Sequence, residues 1–223
     1  MGIIYERVQS LLKEIDGRAK LLLATKERTV DEIREAILAG ANIFGENYLQ
    51  EAESKIIEIG HIVEWHFIGA IQKRKVKKIV ELFDVIESVS SLEIAQIIDR
   101  ECKKIGKVMP VLIEVNSGKE PQKSGVMPED VEVVAKEISK LDNILLSGLM
   151  TMGPNLPNPE DLRPYFRITY ALFNELKNSS LFKVNEPILS MGMSSSYKIA
   201  IVEGANLVRI GTLVFGERKK KDD

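Results

Sequence analysis

Residues 20–69 read KLLLATKERTVDEIREAILAGANIFGENYLQEAESKIIEIGHIVEWHFIG. Three short apolar runs in this stretch are typical of buried strands: Lys20–Thr25, Asn42–Gly45 and Glu64–Gly69. Two longer runs between them have helical spacing: Val30–Ala39 and Tyr48–Ile59. Thr29 is suited to cap the first of these helices, and Gly40 and Gly60 are suited to end them. The stretch therefore predicts a strand–helix–strand–helix–strand order.

The same alternation continues towards the C-terminus. Five more strands are predicted: Val85–Val89, Val111–Val115, Leu145–Thr151, Ile188–Met191 and Leu207–Thr212. Five more helices are predicted: Lys73–Leu82, Leu92–Ile105, Pro128–Leu141, Glu160–Lys177 and Tyr197–Glu203. Strictly alternating strands and helices favour a parallel sheet with helices outside, and eight such units close a barrel.

We therefore predict an α/β fold in which residues 1–223 form one domain, a single (β/α)8 TIM barrel. An extra amphipathic helix at the N-terminus is expected to cover the barrel floor, and LVFGERKKKDD after the eighth strand runs into a charged tail. The alternative is an open doubly wound sheet. Its usual marker, a GxGxxG turn after the first strand, is missing.

The composition narrows the possible partners and the compartment. The net charge of -2 gives no bulk attraction to nucleic acid or anionic lipid, and Cys102 as the single cysteine favours a reducing cytoplasm. The apolar stretch Ile144–Met152 is far shorter than the roughly 20 residues that span a bilayer. With two histidines and one cysteine, no metal site is predicted. The basic run at 72–80 has helical spacing, which favours a solvated helix face over a nucleic-acid site.

The ends of the strands are where a barrel of this kind binds its ligands, and phosphate often binds after strands seven and eight. Lys26 follows the first strand, and closure places it beside the glycine- and hydroxyl-rich ends of strands seven and eight. We expect a phosphate site there, with amides from two glycines, several hydroxyl groups and a short helix starting near Ser196: Gly192, Gly211, Ser194, Ser195 and Thr212. A lysine amine beside it, near Arg209, can form a Schiff base with an aldehyde. Pyridoxal 5'-phosphate carries both groups, although sugar phosphates fit as well.

Seven motifs carry a resemblance to a known family: ATK at 24–26, FGENY at 44–48, WHFIG at 65–69, KSG at 123–125, GLMTM at 148–152, SMGMS at 190–194 and VRIGTLVFG at 208–216. Together they resemble the pyridoxal phosphate homeostasis proteins of the YggS/PROSC type, which are related to the N-terminal barrel of alanine racemase. The resemblance implies seven cofactor contacts: a Schiff base at Lys26, Arg209 at the pyridine nitrogen, Ser194, Gly211 and Thr212 at the phosphate, and Asn47 and Met193 lining the pocket.

The resemblance also implies a role. An arginine at the pyridine nitrogen keeps its proton and weakens the electron sink, which discourages carbanion chemistry. We therefore expect a monomeric cofactor carrier with no catalytic residue, which supplies pyridoxal phosphate to dependent apo-enzymes. One alternative is a weakly active amino-acid racemase with Tyr48 or Tyr197 as the base. Another is a Schiff-base aldolase acting on sugar phosphates.

Several residues depart from the family pattern or have an ordinary structural explanation. Thr25, Lys26 and Glu27 stand where members commonly read SKT, and Ser196 stands near a position that is often acidic, where it is a candidate helix cap. For His66 a packed, hydrogen-bonded role is favoured over a place beside the cofactor. Cys102 is expected to pack in an outer helix, and the KSG motif is expected in a loop at the barrel mouth.

Overall fold

Eight parallel strands close into a barrel in chain order in the computed structural model, which describes residues 2–217. The strands are β1 (Lys20–Ala24), β2 (Ile43–Glu46), β3 (Glu64–Phe67), β4 (Val85–Val89), β5 (Met109–Glu114), β6 (Ile144–Met150), β7 (Ile188–Ser190) and β8 (Leu207–Ile210). Pairing of β8 with β1 closes the barrel, with Leu22 opposite Arg209. The predicted barrel is confirmed, and the open sheet is wrong. Met1 and the end of the charged tail, 218–223, lie outside the described residues, so the single domain over 1–223 stays a prediction.

The helices surround the barrel. They are α1 (Ile3–Ile15), α2 (Val30–Leu38), α3 (Leu49–Ile59), α4 (Val76–Leu82), α5 (Leu92–Ile105), α6 (Val131–Ile138), α7 (Arg163–Asn178), α8 (Tyr197–Val202) and α9 (Thr212–Phe215). Thr29 caps α2 in a reciprocal capping box with Glu32, as its position predicted. Three predicted helices begin with a 3-10 turn: Lys73–Lys75, Pro128–Asp130 and Pro159–Leu162. None of the helices between residues 2 and 217 is long and apolar enough to cross a membrane.

The N-terminal helix does not cover the barrel floor, which corrects the expectation from the sequence. In α1, Arg7 Nη1 donates to the carbonyl of Val214 in α9 (3.1 Å), and Gln9 Nε2 donates to the carbonyl of Ala39 at the end of α2 (2.6 Å). The helix therefore stands between α2 and α9 in the outer ring. It takes this place because β8 is followed by a helix of one turn, which leaves the outside of β8 and β1 to be covered. Its buried face is Ile4, Val8, Leu11 and Ile15.

The barrel interior is apolar at one level and polar at the next. Leu22, Ile43 and Leu207 form a small cluster of their own, separate from the large core between the strands and the helices. Arg209 lies two residues beyond Leu207 on the same strand, so it faces inward as well, because side chains alternate along a strand. Polar inward-facing side chains thus begin directly above this cluster, towards the carboxyl ends of the strands.

Candidate functional site

The turn after β1 carries Lys26 at the mouth of the barrel. Its Nζ donates a hydrogen bond to the Tyr48 hydroxyl (2.9 Å) and lies 4.5 Å from the centre of that ring. The Lys26 side chain is 19% exposed. Tyr48 directly precedes α3, so the turns after β1 and β2 together place this amine. The amine is partly covered and can still be reached from solvent.

A buried ion pair holds this turn from below. Lys55 Nζ, in α3, donates to the carbonyl of Thr25 and to Glu46 Oε1, both at 2.7 Å, and Thr25 Oγ1 donates to the same carboxylate oxygen (2.6 Å). Burial raises the pKa of Glu46, and Lys55 opposes that rise. The Thr25 hydroxyl thus ties the residue before Lys26 to the Glu46 carboxylate. The sequence analysis missed Glu46 and Lys55, which look like ordinary charged residues next to apolar runs.

The turns after β1 and β8 are joined directly. Arg28 donates to the carbonyls of Phe215 (3.1 Å) and Gly216 (2.6 Å), at the end of α9. A Cβ added at Gly211 would lie 3.4 Å from the carbonyl oxygen of Ala24. The structure therefore brings the turn that carries Lys26 against the turn that carries Gly211, although the two are far apart in the sequence.

Backbone amides at the end of β8 converge on one oxygen atom. Ser194 Oγ accepts hydrogen bonds from the N–H of Gly211 (3.3 Å) and of Leu213 (3.4 Å). Thr212, between them, is exposed at the start of α9. Three of the predicted phosphate contacts thus lie together, and the Leu213 amide joins them. The sequence analysis missed Leu213, because every residue except proline has a backbone N–H and the residue type therefore does not reveal this role.

The turn after β7 is shaped by packing within the protein. Gly192 has φ +90°, and a Cβ there would lie 2.5 Å from the Ala200 Cβ of α8. The close approach of α8 therefore explains the glycine at position 192. The sequence analysis had explained it by the close approach of an anion. Ser196 stands at the N-cap of α8, but its Oγ accepts from the N–H of Met193 (3.1 Å), so its side chain does not cap the helix.

Arg209 lies inside the barrel beneath these turns, and it is buried. Its Nη1 donates to Ser190 Oγ (2.6 Å), and its Nη2 donates to the carbonyl of Thr151 (2.8 Å) and lies 3.4 Å from Met152 Sδ. These contacts come from β7 and from the end of β6, and they fix the plane of the guanidinium.

A cavity of about 380 Å³ opens on the other side of the mouth, between the loops after β5, β6 and β7. Glu114, Lys123, Met152 and Met193 are among its lining residues, and Lys123 places the KSG motif at the mouth, as predicted. Burial raises the pKa of Glu114 to about 7, although Arg209 opposes the shift. Among the seven predicted cofactor contacts, Met193 is the one that lines this cavity.

Asn47 lies on the next turn, after β2, and is half-buried. Its backbone is held close to Gly69 at the end of β3, because a Cβ on that glycine would lie 2.0 Å from the Asn47 carbonyl oxygen. Asn47 is adjacent in sequence to Tyr48, the partner of Lys26. The predicted residues thus occupy the turns after β1, β2, β7 and β8, with Arg209 below.

His66 is packed and hydrogen-bonded, as favoured from the sequence. Its Nδ1 lies 2.6 Å from Glu87 Oε1 and its Nε2 lies 3.0 Å from Glu64 Oε1. Burial by itself lowers the pKa of His66, but the two carboxylates outweigh burial and raise it to about 9. Cys102 is buried in α5, and burial raises the pKa of its thiol to about 11. Residues 2–217 contain no cluster of three or more side chains that could hold a metal ion.

The basic run at 72–80 is a solvated helix face, as predicted. Lys73 and Lys78 pair with Glu93 and Glu53 on neighbouring helices, while the apolar residues of the run are buried.

Comparison with known proteins agrees with this fold. The family model for the N-terminal domain of alanine racemase matches residues 3–219. A pyridoxal phosphate homeostasis protein of Aquifex aeolicus is 42% identical over 220 residues, which cover 97% of this chain and 96% of that protein. PipY of Synechococcus elongatus PCC7942 superimposes with a TM-score of 0.89 without pyridoxal phosphate (32% identity) and 0.86 with it bound (31%), each covering 96% of this chain and 100% of PipY. The resemblance predicted from the motifs is confirmed, and the chain belongs to the family of pyridoxal phosphate homeostasis proteins, built on the alanine racemase N-terminal barrel.

Proposed function

We propose that this protein binds pyridoxal 5'-phosphate at the barrel mouth, holds it on Lys26, and takes part in its intracellular homeostasis and supply. One observation carries the proposal: the amides of Gly211 and Leu213 converge on a single oxygen position, next to the turn that bears the Lys26 amine. A similar protein of known structure, PipY, has been solved with pyridoxal phosphate bound, which supports the same ligand here.

The residues present fit a phosphate group at the end of β8. Two N–H groups already point at one acceptor, the Ser194 hydroxyl, and a phosphate oxygen is a stronger acceptor because it is charged. A Cβ at Gly211 would make ordinary contacts with Ala24, and φ is -123°, so the packing of the protein does not require glycine there. Close approach of a ligand accounts for it. Ser194, Gly211 and Thr212 would hold the phosphate, together with the Leu213 amide.

The residues around Lys26 and Arg209 fit the rest of the cofactor. When bound, pyridoxal phosphate supplies an aldehyde that a lysine amine holds covalently, and a pyridine ring that withdraws electrons. Lys26 provides the amine, and the Tyr48 hydroxyl, 2.9 Å away, orients it. Arg209 offers N–H groups at a fixed place and keeps its proton. Asn47 and Met193 would line the pocket.

These properties favour holding the cofactor over turning it into a catalyst. An arginine beside the ring nitrogen donates a hydrogen bond to it but does not give up its proton. The nitrogen therefore stays unprotonated, which weakens electron withdrawal through the ring. The similar proteins are named for homeostasis. We therefore propose a monomeric, cytoplasmic carrier with no turnover, which passes pyridoxal phosphate to dependent apo-enzymes.

Borohydride reduction followed by peptide mass spectrometry tests the attachment. Loaded wild-type protein should carry the reduced adduct on Lys26, and Lys26→Ala should carry none. Lys104→Ala removes an exposed lysine of α5 that pairs with Glu101, and it should behave as wild type. An adduct on another lysine would disprove the proposed site. Reduction with a sugar phosphate in place of pyridoxal phosphate should give no adduct, and an adduct there would favour the aldolase.

One observation keeps the racemase as a second candidate. The Tyr48 hydroxyl lies beside Lys26 Nζ, where a second proton carrier could act. Tyr197 does not lie there, because it is buried at the start of α8, where burial first and then Glu14 of α1, in the outer ring, raise the pKa of its hydroxyl. Exchange of the α-proton of amino acids in deuterated buffer separates the two functions. A carrier should exchange it no faster than free pyridoxal phosphate, and a much faster rate would establish an enzyme.

A further inference from the structure

A chain of hydrogen-bonded side chains crosses the barrel interior from Arg209 to the opposite end of the barrel. Arg209 Nη1 lies 2.6 Å from Ser190 Oγ, and Ser190 Oγ lies 2.6 Å from Glu87 Oε2. The other oxygen of Glu87 lies 2.6 Å from His66 Nδ1, and His66 Nε2 lies 3.0 Å from Glu64 Oε1. We call Arg209, Ser190, Glu87, His66 and Glu64 the interior chain. It draws on β3, β4, β7 and β8.

The direction of each hydrogen bond is fixed by chemistry. Arg209 can only donate, so Ser190 Oγ accepts from it and gives its own proton to Glu87. Both ring nitrogens of His66 face carboxylate oxygens, so both donate and the ring is positively charged. Charges therefore alternate along the interior chain: positive at Arg209, negative at Glu87, positive at His66 and negative at Glu64.

The energetics of burial indicate that this arrangement serves more than stability. Glu87, His66, Ser190 and Arg209 are all buried. Buried ion pairs can often be replaced by apolar side chains of similar size at little or no loss of stability. One end of the interior chain is Arg209, the side chain that we place at the pyridine nitrogen of the cofactor. Glu87 Oε2 lies 3.8 Å from Arg209 Nη1, so its charge acts on the guanidinium as an ion pair, while its hydrogen bond reaches Arg209 only through Ser190.

Resting on the proposed function, we propose that Glu87 and Ser190 are positioning residues for Arg209, and that His66 keeps Glu87 ionised for this task. Ser190 and the Thr151 carbonyl then hold the guanidinium on two sides, so that its remaining N–H groups face the bound ring. Glu114, from β5, is the further carboxyl group whose charge acts on Arg209. The interior chain thereby sets the electronic state of the cofactor from outside the pocket.

Glu87→Gln tests the charge while keeping the shape and an acceptor for Ser190. Two properties should change: the Kd for pyridoxal phosphate should rise about tenfold or more, and the pH profile of its visible absorption band should move by about one pH unit or more. The reduced adduct should still be found on Lys26. Glu203→Gln is the matched control, because Glu203 also accepts from arginines, Arg163 and Arg167, but on outer helices. It should change neither property.

Ser190 gives an independent pair of variants that removes no charge. Ser190→Ala should reproduce the changes in Kd and pH profile, and Ser190→Thr, which keeps the hydroxyl, should restore wild-type behaviour. The double variant Glu87→Gln/Ser190→Ala should be no worse than the more affected single variant, because residues acting in one chain are not additive. A residue that serves stability alone would lower the melting temperature and leave the absorption profile unchanged.

The two proposals fail in different ways. Absence of a Lys26 adduct in wild-type protein would disprove the proposed function, and this inference would fall with it. A normal wild-type adduct, with Kd and pH profile unchanged in both Glu87→Gln and Ser190→Ala, would overturn this inference alone. If Glu87→Gln does not fold, unchanged values in folded Ser190→Ala are sufficient to overturn it.

Discussion

The two sides of the barrel mouth differ in how their polar groups are paired. On the β8–β1 side, two amides converge on Ser194 Oγ, and the Lys26 amine is bonded to Tyr48. On the β5–β6 side, a cavity of about 380 Å³ is bordered by Glu114. Within residues 2–217, no group donates a hydrogen bond to the Glu114 carboxyl group, and burial raises its pKa to about 7.

This difference shows how a protein with a net charge of -2 can select an anion. The β8–β1 side presents N–H donors and an amine, while the β5–β6 side gains a negative charge as pH rises through about 7. We therefore expect a phosphate on the β8–β1 side, where local N–H donors and an amine lie together, in spite of the negative overall charge.

The largest effect that bears on this comparison is expected from two glycines. Gly192→Ala forces a Cβ into α8 at φ +90°, so it should lower the free energy of unfolding by about 2–4 kcal/mol. Gly211→Ala meets ordinary contacts and should change it by less than about 1 kcal/mol. Pyridoxal phosphate binding should nonetheless weaken by about tenfold or more in Gly211→Ala, because the methyl group occupies space next to the converging amides. Urea unfolding of the cofactor-free proteins and equilibrium titration measure both quantities.

If Gly211→Ala is as unstable as Gly192→Ala, the proposed difference between the two turns is wrong. The turn after β8 would then be shaped by the packing of the protein, as the turn after β7 is. A stable Gly211→Ala variant with unchanged affinity would place the phosphate elsewhere.

The fold could be predicted closely because its signals are local and repeated. Each strand was found from a short apolar run, and eight runs imply closure without knowledge of any single contact. The strand Val85–Val89 and the helix Leu92–Ile105 have the predicted bounds. The place of α1 could not be predicted, because an amphipathic pattern shows that a helix has a buried face and not what it is buried against. That depends on the shortness of α9, at the other end of the chain.

The candidate site was predictable where residue type carries the chemistry. A lysine at a strand end is by itself usually a solvated residue, but barrel closure places Lys26 beside Gly211, and both belong to motifs of the family. The connection of Arg209 to Ser190, Glu87 and His66 was missed, because each looks like a single polar residue in a strand. A signal was present, since a carboxylate inside the fully buried run VIESV must face a partner. Which partner it faces is decided by the register of four strands, which the sequence does not reveal.

The next effect in size concerns the β5–β6 side, and it depends on pH. The folded-state pKa of Glu114, about 7, is above the ordinary value of 4.5, so the folded protein binds this proton more tightly than the unfolded chain does. The stabilisation from the protonated form is present below pH 4.5 and is lost as pH rises to about 7. Glu114→Gln should therefore be more stable than wild type at pH 8, by on the order of 2 kcal/mol, and equal to it at pH 4.

Urea unfolding of both proteins at the two pH values measures this difference. Glu186→Gln is the control, because it removes an exposed carboxyl group from the loop before β7, and it should change the free energy of unfolding by less than about 0.5 kcal/mol. Equal stability of Glu114→Gln and wild type at pH 8 would mean that the acid is solvated or paired. The contrast between the two sides of the mouth would then be smaller than described.

The smallest effect is expected at the rim of the β8–β1 side. Tyr48→Phe removes the 2.9 Å hydrogen bond to Lys26 Nζ but keeps the ring over which the ammonium lies at 4.5 Å. Tyr48 is 47% exposed, so unfolding should change by less than about 0.5 kcal/mol. The Kd for pyridoxal phosphate should rise by about two- to fivefold, with the reduced adduct still on Lys26, since a solvent-exposed hydrogen bond contributes little. A loss of the adduct, or a weakening beyond about a hundredfold, would show that the hydroxyl transfers a proton to or from Lys26, and a racemase would then be favoured over the carrier.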